Sequence, residues 1–360
     1  MTMKPLFLTY YLPQYHPFPE NDEWWGKGFT EWTNVAKARK LFPGHYQPRI
    51  PADLGFYDLR VPEVRKAQAE LAREAGIDCF CYWHYWFNGH KMMERPFEEV
   101  VKTGEPDFPF CLSWANHSWY AKTWNKDIPD KLLIEQTYGG EEEYIAHFND
   151  LLSAFRDKRY LRIDGKLVFG IFEPFVFPDI KNFMDTWNRL AQENGLGGFH
   201  FFSHAFKKSQ IQTLKEMGFD TVLVDYTFLR QSANRWFSWL LLKLHLTPQI
   251  MSYPDYIDTY LRNYPDMPGV APQIISSWDH TPRSGMRGSL FIRNTPQRFG
   301  DFVDRLLQKL NTHENTPPFI MIKSWNEWGE GNYLEPDLKY GKGYIHELRK
   351  AINKNQSSRI

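Results

Sequence analysis

The chain reads as an α/β protein of the (β/α)8 barrel class, a TIM barrel, in a single domain over residues 1–360. Three observations predict it. Short runs rich in apolar, β-branched and aromatic residues recur eight times. Helical patterns fill most of the intervals between them, so strands and helices alternate along the chain. No linker or low-complexity stretch divides the 360 residues, a length that barrels reach as one unit.

The strand candidates are LFLTYY (6–11), DCFCYW (78–83), FPFCLSW (108–114), LVFGIF (167–172), FHFFSH (199–204), TVLVDY (221–226), VAPQIISSW (270–278) and PFIMIKSW (318–325). Pro109 weakens the first residues of the third, because it has no N–H for a sheet ladder. Helices are expected over 62–76, closed by Gly76 as a C-cap, and over 140–155, opened by acidic residues that suit a helix N-terminus. Further helical patterns cover 180–195, 208–218, 295–311 and 343–355. An open doubly wound sheet would place a Gly-rich phosphate turn after its first strand. YYLPQYHP (10–17) contains none.

Composition narrows the function. Lys plus Arg and Asp plus Glu each number 43, so charge does not indicate a nucleic-acid surface. Aromatics reach 17% and cluster with polar residues, as in YWHYWFNGH (82–90) and SWANHSWY (113–120). Flat rings beside hydrogen-bonding groups suit sugars, whose CH faces stack on rings while their hydroxyls need polar partners. Cys79, Cys81 and Cys111 sit in strand candidates and read as reduced core thiols. Their spacing matches no metal motif, and no metal or other cofactor is expected. The N-terminal apolar run is too short for a secretory signal and no run reaches a membrane span, so a cytoplasmic location is the expectation.

Barrel active sites lie at the C-terminal ends of the strands. The candidates are therefore the residues that end each apolar run. They are Tyr11, Gln14, Tyr15 and His16 after the first, and His84, Tyr85, Trp86 and Asn88 after the second. The third contributes Asn116, His117 and Trp119, the fourth Glu173 and the fifth His204. Asp225 and Tyr226 follow the sixth, Trp278, Asp279 and His280 the seventh, and Asn326, Glu327 and Glu330 the eighth. From this ring, an oligosaccharide or polysaccharide substrate is the expected partner.

Glu327 and Glu330, three apart in SWNEWGEGNYLEP (324–336), are the catalytic candidates. Glycosidic cleavage uses one carboxyl held protonated and another ionised. Two close carboxylates push their proton affinities apart, since the first charge resists the second. Gly329 and Gly331 let the backbone turn between and after them.

YYLPQYHPFPENDEWWGKGFTEWTNV (10–35) and SWNEWGEGNYLEP resemble the opening and C-terminal signatures of the WbsX-like family of bacterial polysaccharide-cluster proteins. The likeness extends from the first strand to the last helix. That family is related to glycoside hydrolase family 99, the endo-acting α-mannosidases and α-mannanases built on (β/α)8 barrels. The resemblance implies Glu327 as base and Glu330 as acid/base in a retaining mechanism. There the sugar's own 2-hydroxyl oxygen attacks the anomeric carbon, giving a 1,2-anhydro sugar that water or another acceptor opens. It also places Tyr11, His16, Glu31, Trp32 and Tyr333 within the two signatures as pocket residues. Glu31 has an equal alternative, pinning the Trp24–Trp32 loop.

The family's glycosyltransferase label, attached because its genes lie among those for O-antigen, capsule and lipopolysaccharide assembly, offers a rival. Against it, the sequence contains no Asp-x-Asp triplet. A non-catalytic carbohydrate-binding barrel is a third reading. The segment RWFSWLLLKLHLTPQIM (235–251) mixes Trp, Leu and basic residues. It is expected to be a lid or helix packed on the barrel, with peripheral membrane contact as the alternative.

Overall fold

The computed structural model describes residues 4–121, 130–224 and 247–357. Eight parallel strands form its centre: β1 (Leu6–Tyr11), β2 (Cys79–His84), β3 (Phe110–Trp114), β4 (Lys166–Ile171), β5 (Phe199–Ala205), β6 (Thr221–Val224), β7 (Val270–Ile275) and β8 (Phe319–Lys323). Each pairs with its sequence neighbour, and β1 pairs with β8 through Leu6↔Phe319 to Thr9↔Ile322. The ring is therefore closed, and closure removes the open sheet edges. All eight strand candidates correspond to barrel strands. The third begins at Phe110, immediately after the proline that cannot donate to a ladder.

The predicted helices are present as α3 (Pro62–Ala75), α5 (Glu141–Arg156), α6 (Ile180–Glu193), α7 (Gln210–Glu216), α10 (Pro296–Thr312) and α11 (Gly343–Ser357). Pro62 opens α3, where a missing N–H costs nothing. Gly76 closes it at φ +88°, donating to the carbonyls of Ala72 and Arg73. Among the described residues, five helices escaped the periodicity: α1 (Pro19–Trp25), α2 (Glu31–Lys37), α4 (Arg95–Thr103), α8 (Tyr253–Asn263) and the single turn α9 (Thr281–Ser284). Most are short, with too few turns to show a repeating apolar stripe.

Alternate residues of a barrel strand face the interior and the helices. Tyr11 of β1 points outward and donates from its hydroxyl to Gln68 Oε1 on α3 at 2.6 Å. Tyr10, one residue earlier, lines the cavity at the barrel mouth. The three cysteines are free and buried. Cys81 and Cys111 are cross-strand partners, and the Sγ atoms of Cys79 and Cys111 lie 3.9 Å apart. Among the described residues no His, Cys, Asp and Glu cluster could hold a metal ion, and no helix is long and apolar enough to cross a membrane. Asp225 and Tyr226 lie outside the described residues, as does most of 235–251. The end of that segment contributes Gln249–Ser252, a strand parallel to Ser289–Ile292.

Candidate active site

A cavity of about 410 Å³ opens at the C-terminal end of the barrel. Tyr10, Trp83, Tyr85, Trp119, Phe172 and Phe206 supply its rings, and Gln14, His117, His204 and Gln273 its neutral polar groups. Arg283, Lys323, Glu327 and Glu330 carry the ionisable chemistry. Tyr10 stacks on Trp83 at 4.3 Å, and its hydroxyl meets His204 Nε2 at 2.7 Å. Burial first, then the Lys323 charge, lowers the His204 pKa to about 3, so this ring is neutral. Trp119 Nε1 is buried and has no hydrogen-bond partner among the described residues.

Local structure delivers the two glutamates together. After β8 the chain forms a small antiparallel pair, Asn326↔Tyr333 and Glu327↔Asn332, around a 3-10 turn at Trp328–Glu330. Gly331 closes the turn at φ +57°. A side chain there would meet Asp279 Cβ at 2.7 Å, so glycine is required on both counts. Asn326 locks this unit to β1, accepting from Leu12 N–H at 2.8 Å and donating to the Leu12 carbonyl at 3.0 Å. Trp328 N–H donates to the Tyr15 hydroxyl at 3.0 Å, and its indole N–H to Glu335 at 2.6 Å. The Glu330 carbonyl accepts from Asp279 N–H at 2.6 Å.

The two carboxyls have opposite surroundings. Glu330 receives Arg283 Nη1 at 2.7 Å and lies 3.4 Å from Lys323 Nζ. Burial alone would raise its pKa, but the two cations outweigh burial and hold it well below the ordinary carboxylate range. Glu327 makes no ion pair within 4 Å among the described residues, and its Oε2 is buried without a hydrogen-bond partner. Burial first, then the neighbouring Glu330 charge, raises its pKa to about 7. Glu31 completes the electrostatics from behind. Its Oε2 accepts from Arg283 Nη2 at 3.0 Å and Nε at 3.1 Å, so Arg283 bridges two carboxylates.

Of the residues predicted from sequence, Glu327, Glu330, Gln14, Tyr85, His117, Trp119 and His204 meet at this cavity. The others take places around it. Glu31 anchors Arg283. Trp32 packs on Tyr15 and Trp328 and donates to the Tyr57 carbonyl. Asn116 ties its loop to the Glu173 backbone and the Tyr138 hydroxyl, and Glu173 itself is half-buried. Asp279 binds His45, Gln47 and Thr281, and Trp278 donates to Ser289. Tyr333 stacks on Trp328 and donates to Asp337.

Tyr11, His84 and Trp86 do not line this cavity. His84 meets His147 of α5 at 2.7 Å, Trp86 stacks on that same ring, and both belong to the outer layer of the barrel. His16 is buried away from the cavity, and burial lowers its pKa to about 4. Sequence reasoning missed Tyr10, Trp83, Phe172, Phe206, Gln273, Arg283 and Lys323. Strand parity was the available signal: Tyr10, not Tyr11, and Trp83, not His84, share the inward face.

A closed barrel with acidic residues and rings at its mouth has the fold of glycoside hydrolases. It superposes on the family 99 endo-α-mannosidase of Bacteroides thetaiotaomicron with a TM-score of 0.60, at 12% identity over 99% of both chains. A protein described as glycoside hydrolase-like gives a TM-score of 0.57 at 14% identity, covering 96% of this chain and 93% of that one. The chain belongs to the family described as glycosyltransferase WbsX, whose model matches residues 7–348. It is also 33% identical over 361 residues to the uncharacterized protein WxcX of Xanthomonas campestris pv. campestris. That alignment covers 98% of this chain and half of WxcX, so the chain spans about half the length of that relative.

Proposed function

We propose that the protein is a retaining glycoside hydrolase or transglycosidase acting on an α-linked, mannose-containing bacterial glycan. One observation carries the reading: two buried carboxyls share one ring-lined cavity, Glu330 paired with Arg283 and Lys323, and Glu327 with no ion pair within 4 Å among the described residues. A protonated carboxyl and an ionised one are what cleavage of a glycosidic bond requires. In the reaction one carboxyl removes the proton of the sugar's 2-hydroxyl as that oxygen attacks the anomeric carbon. The other protonates the departing oxygen and then activates water or an acceptor hydroxyl to open the 1,2-anhydro sugar. Trp83 and Trp119 offer the ring faces on which pyranose rings stack.

Glycosyl transfer from a phosphate-activated donor is the second reading. It is favoured by Arg283 and Lys323, two cations in the cavity that a phosphate could meet, and by the family's description. Incubation with α-mannosides and bacterial polysaccharides, with and without sugar nucleotides, separates the two. Nucleotide-independent cleavage that Glu327→Gln and Glu330→Gln each abolish is the expected result. Product formed only with a sugar nucleotide favours transfer. Turnover surviving in both variants removes the pair from catalysis and leaves a carbohydrate-binding barrel.

A further inference from the structure

A second cavity, of about 170 Å³, shares no lining residue with the ring-lined one. Three cations line it: Arg49, Arg293 and Lys339. Arg49 is buried, and its Nη1 donates to the Gly331 carbonyl at 2.7 Å and to the Ser277 hydroxyl at 2.9 Å. Its Nε–H is buried without a hydrogen-bond partner among the described residues. Lys339 Nζ lies over the Tyr46 ring at 4.3 Å and the Tyr340 ring at 4.8 Å, and both rings belong to the cavity wall. Arg293 and Lys339 are exposed, and neither side chain forms an ion pair within 4 Å among the described residues.

Among the described residues Asp279 is the one carboxylate of the lining, and its oxygens are already engaged. They accept from Gln47 at 2.8 Å and from the Thr281 hydroxyl at 2.6 Å, with Arg49 Nη2 at 4.0 Å. His45 accepts from Leu41 N–H through Nδ1 at 3.1 Å, so its proton sits on Nε2, which donates to Asp279 at 2.8 Å from a neutral ring. Three cations against one carboxylate leave two positive charges unmatched in a small, partly enclosed space. The helix α10 also begins here, with Asn294 and its N-cap Thr295 in the cavity wall. The positive end of the helix dipole adds to the attraction for an anion.

We propose that this cavity binds a small dianionic oxyanion of the phosphate class, free or as the phosphoryl group of a sugar. Buried Arg49 forms the floor, and its unpaired Nε–H is the donor left for the anion. Exposed Arg293 and Lys339 close on it from the rim. A dianion matches both excess charges, whereas a single carboxylate would leave one of them uncompensated. The volume falls below the ~300–1,000 Å³ of ordinary small-molecule pockets. The phosphoryl group alone is therefore enclosed, and a sugar attached to it stays at the rim beside Tyr46 and Tyr340. The site does not depend on the reaction proposed for the ring-lined cavity. It adjoins that cavity through Arg49, which holds the Gly331 carbonyl at the end of the turn carrying the two glutamates.

Isothermal titration calorimetry of the full chain with inorganic phosphate, against chloride at equal ionic strength, tests the site. Saturable binding of phosphate is expected. Arg293→Asn combined with Lys339→Met removes both rim charges. Asparagine tolerates the φ of +64° at that position, and neither native side chain holds an ion pair, so melting in chloride should be unchanged. Arg49 is left in place because it secures Gly331. The double variant should bind phosphate ~tenfold or more weakly. If its melting falls, Lys339→Met alone carries the same comparison. Binding equal to wild type in the variant would put the ion elsewhere, at Arg283 and Lys323 for example, and overturns the proposal. So does a wild-type protein that binds phosphate no better than chloride. Glucose 6-phosphate separates the sources: tighter binding than inorganic phosphate assigns the site to a phosphorylated sugar, and weaker binding to the free ion. Competition by unphosphorylated glucose overturns the choice of a phosphoryl group.

Discussion

Gly329→Ala strikes the contact that holds the cationic bridge. Gly329 sits in the turn between the two glutamates, and a Cβ there would lie 1.9 Å from Glu31 Oε2 and 3.0 Å from Arg283 Nε. Ordinary contact begins near 3.4 Å, so the Glu31 carboxylate would have to retreat by about 1.5 Å. Its side chain is 5% exposed and is engaged by Asn34 and by two nitrogens of Arg283 at 3.0 and 3.1 Å. A retreat of that size breaks the two-point pair. Hydrogen bonds to charged groups contribute ~1.5–3 kcal/mol each. Arg283 keeps Glu330 and is a quarter exposed, so solvent makes up part of the loss, and a net destabilisation of ~1–3 kcal/mol is expected. Urea unfolding of the variant, alone and in a Glu31→Ala background, measures it. The cost should largely vanish where Glu31 has already been truncated, a coupling a double-mutant cycle detects. An equal cost in both backgrounds would refute the steric argument.

Three further outcomes are expected. Asn326→Ala removes both hydrogen bonds to Leu12 and leaves the Leu12 N–H and carbonyl buried without them, so the urea midpoint should fall by the equivalent of ~2–4 kcal/mol. Because the folded-state pKa of Glu327 is raised above its unfolded value, its contribution to stability is fully present at acid pH. That contribution is lost as pH rises through about 7, and Glu327→Gln should flatten this part of a stability-against-pH series. Trp119→Ala deletes a ring at the cavity wall. On the proposed function it should raise KM for a glycan more than it lowers kcat, and an unchanged KM would remove Trp119 from substrate binding.

The barrel was legible because its signal is local and repeated. Eight buried strands read as apolar runs whatever their neighbours are, and backbone chemistry alone marked the start of a strand at Pro109 and the end of a helix at Gly76. The helices α1, α2 and α4 were not legible, since short segments carry little periodicity and are stabilised mainly by tertiary packing. Glu327 and Glu330 stood out because two carboxyls among tryptophans and glycines have a chemical reason to be adjacent. Arg283 gave no comparable signal. Its partners Glu31 and Glu330 are 252 and 47 residues away in sequence, and nothing local distinguishes it from any surface arginine.

Chain order by itself determined the strand count, the alternation with helices and the end of the barrel where polar residues gather. The choice within each neighbouring pair, Tyr10 over Tyr11 and Trp83 over His84, waited for closure of the barrel. Adjacent strand residues face opposite sides, and only the ring of pairings from β1 round to β8 says which side is the cavity. The unequal surroundings of the two glutamates were likewise decided in three dimensions. They depend on where two distant cations come to rest, and Coulomb interactions depend on distance through space and not along the chain.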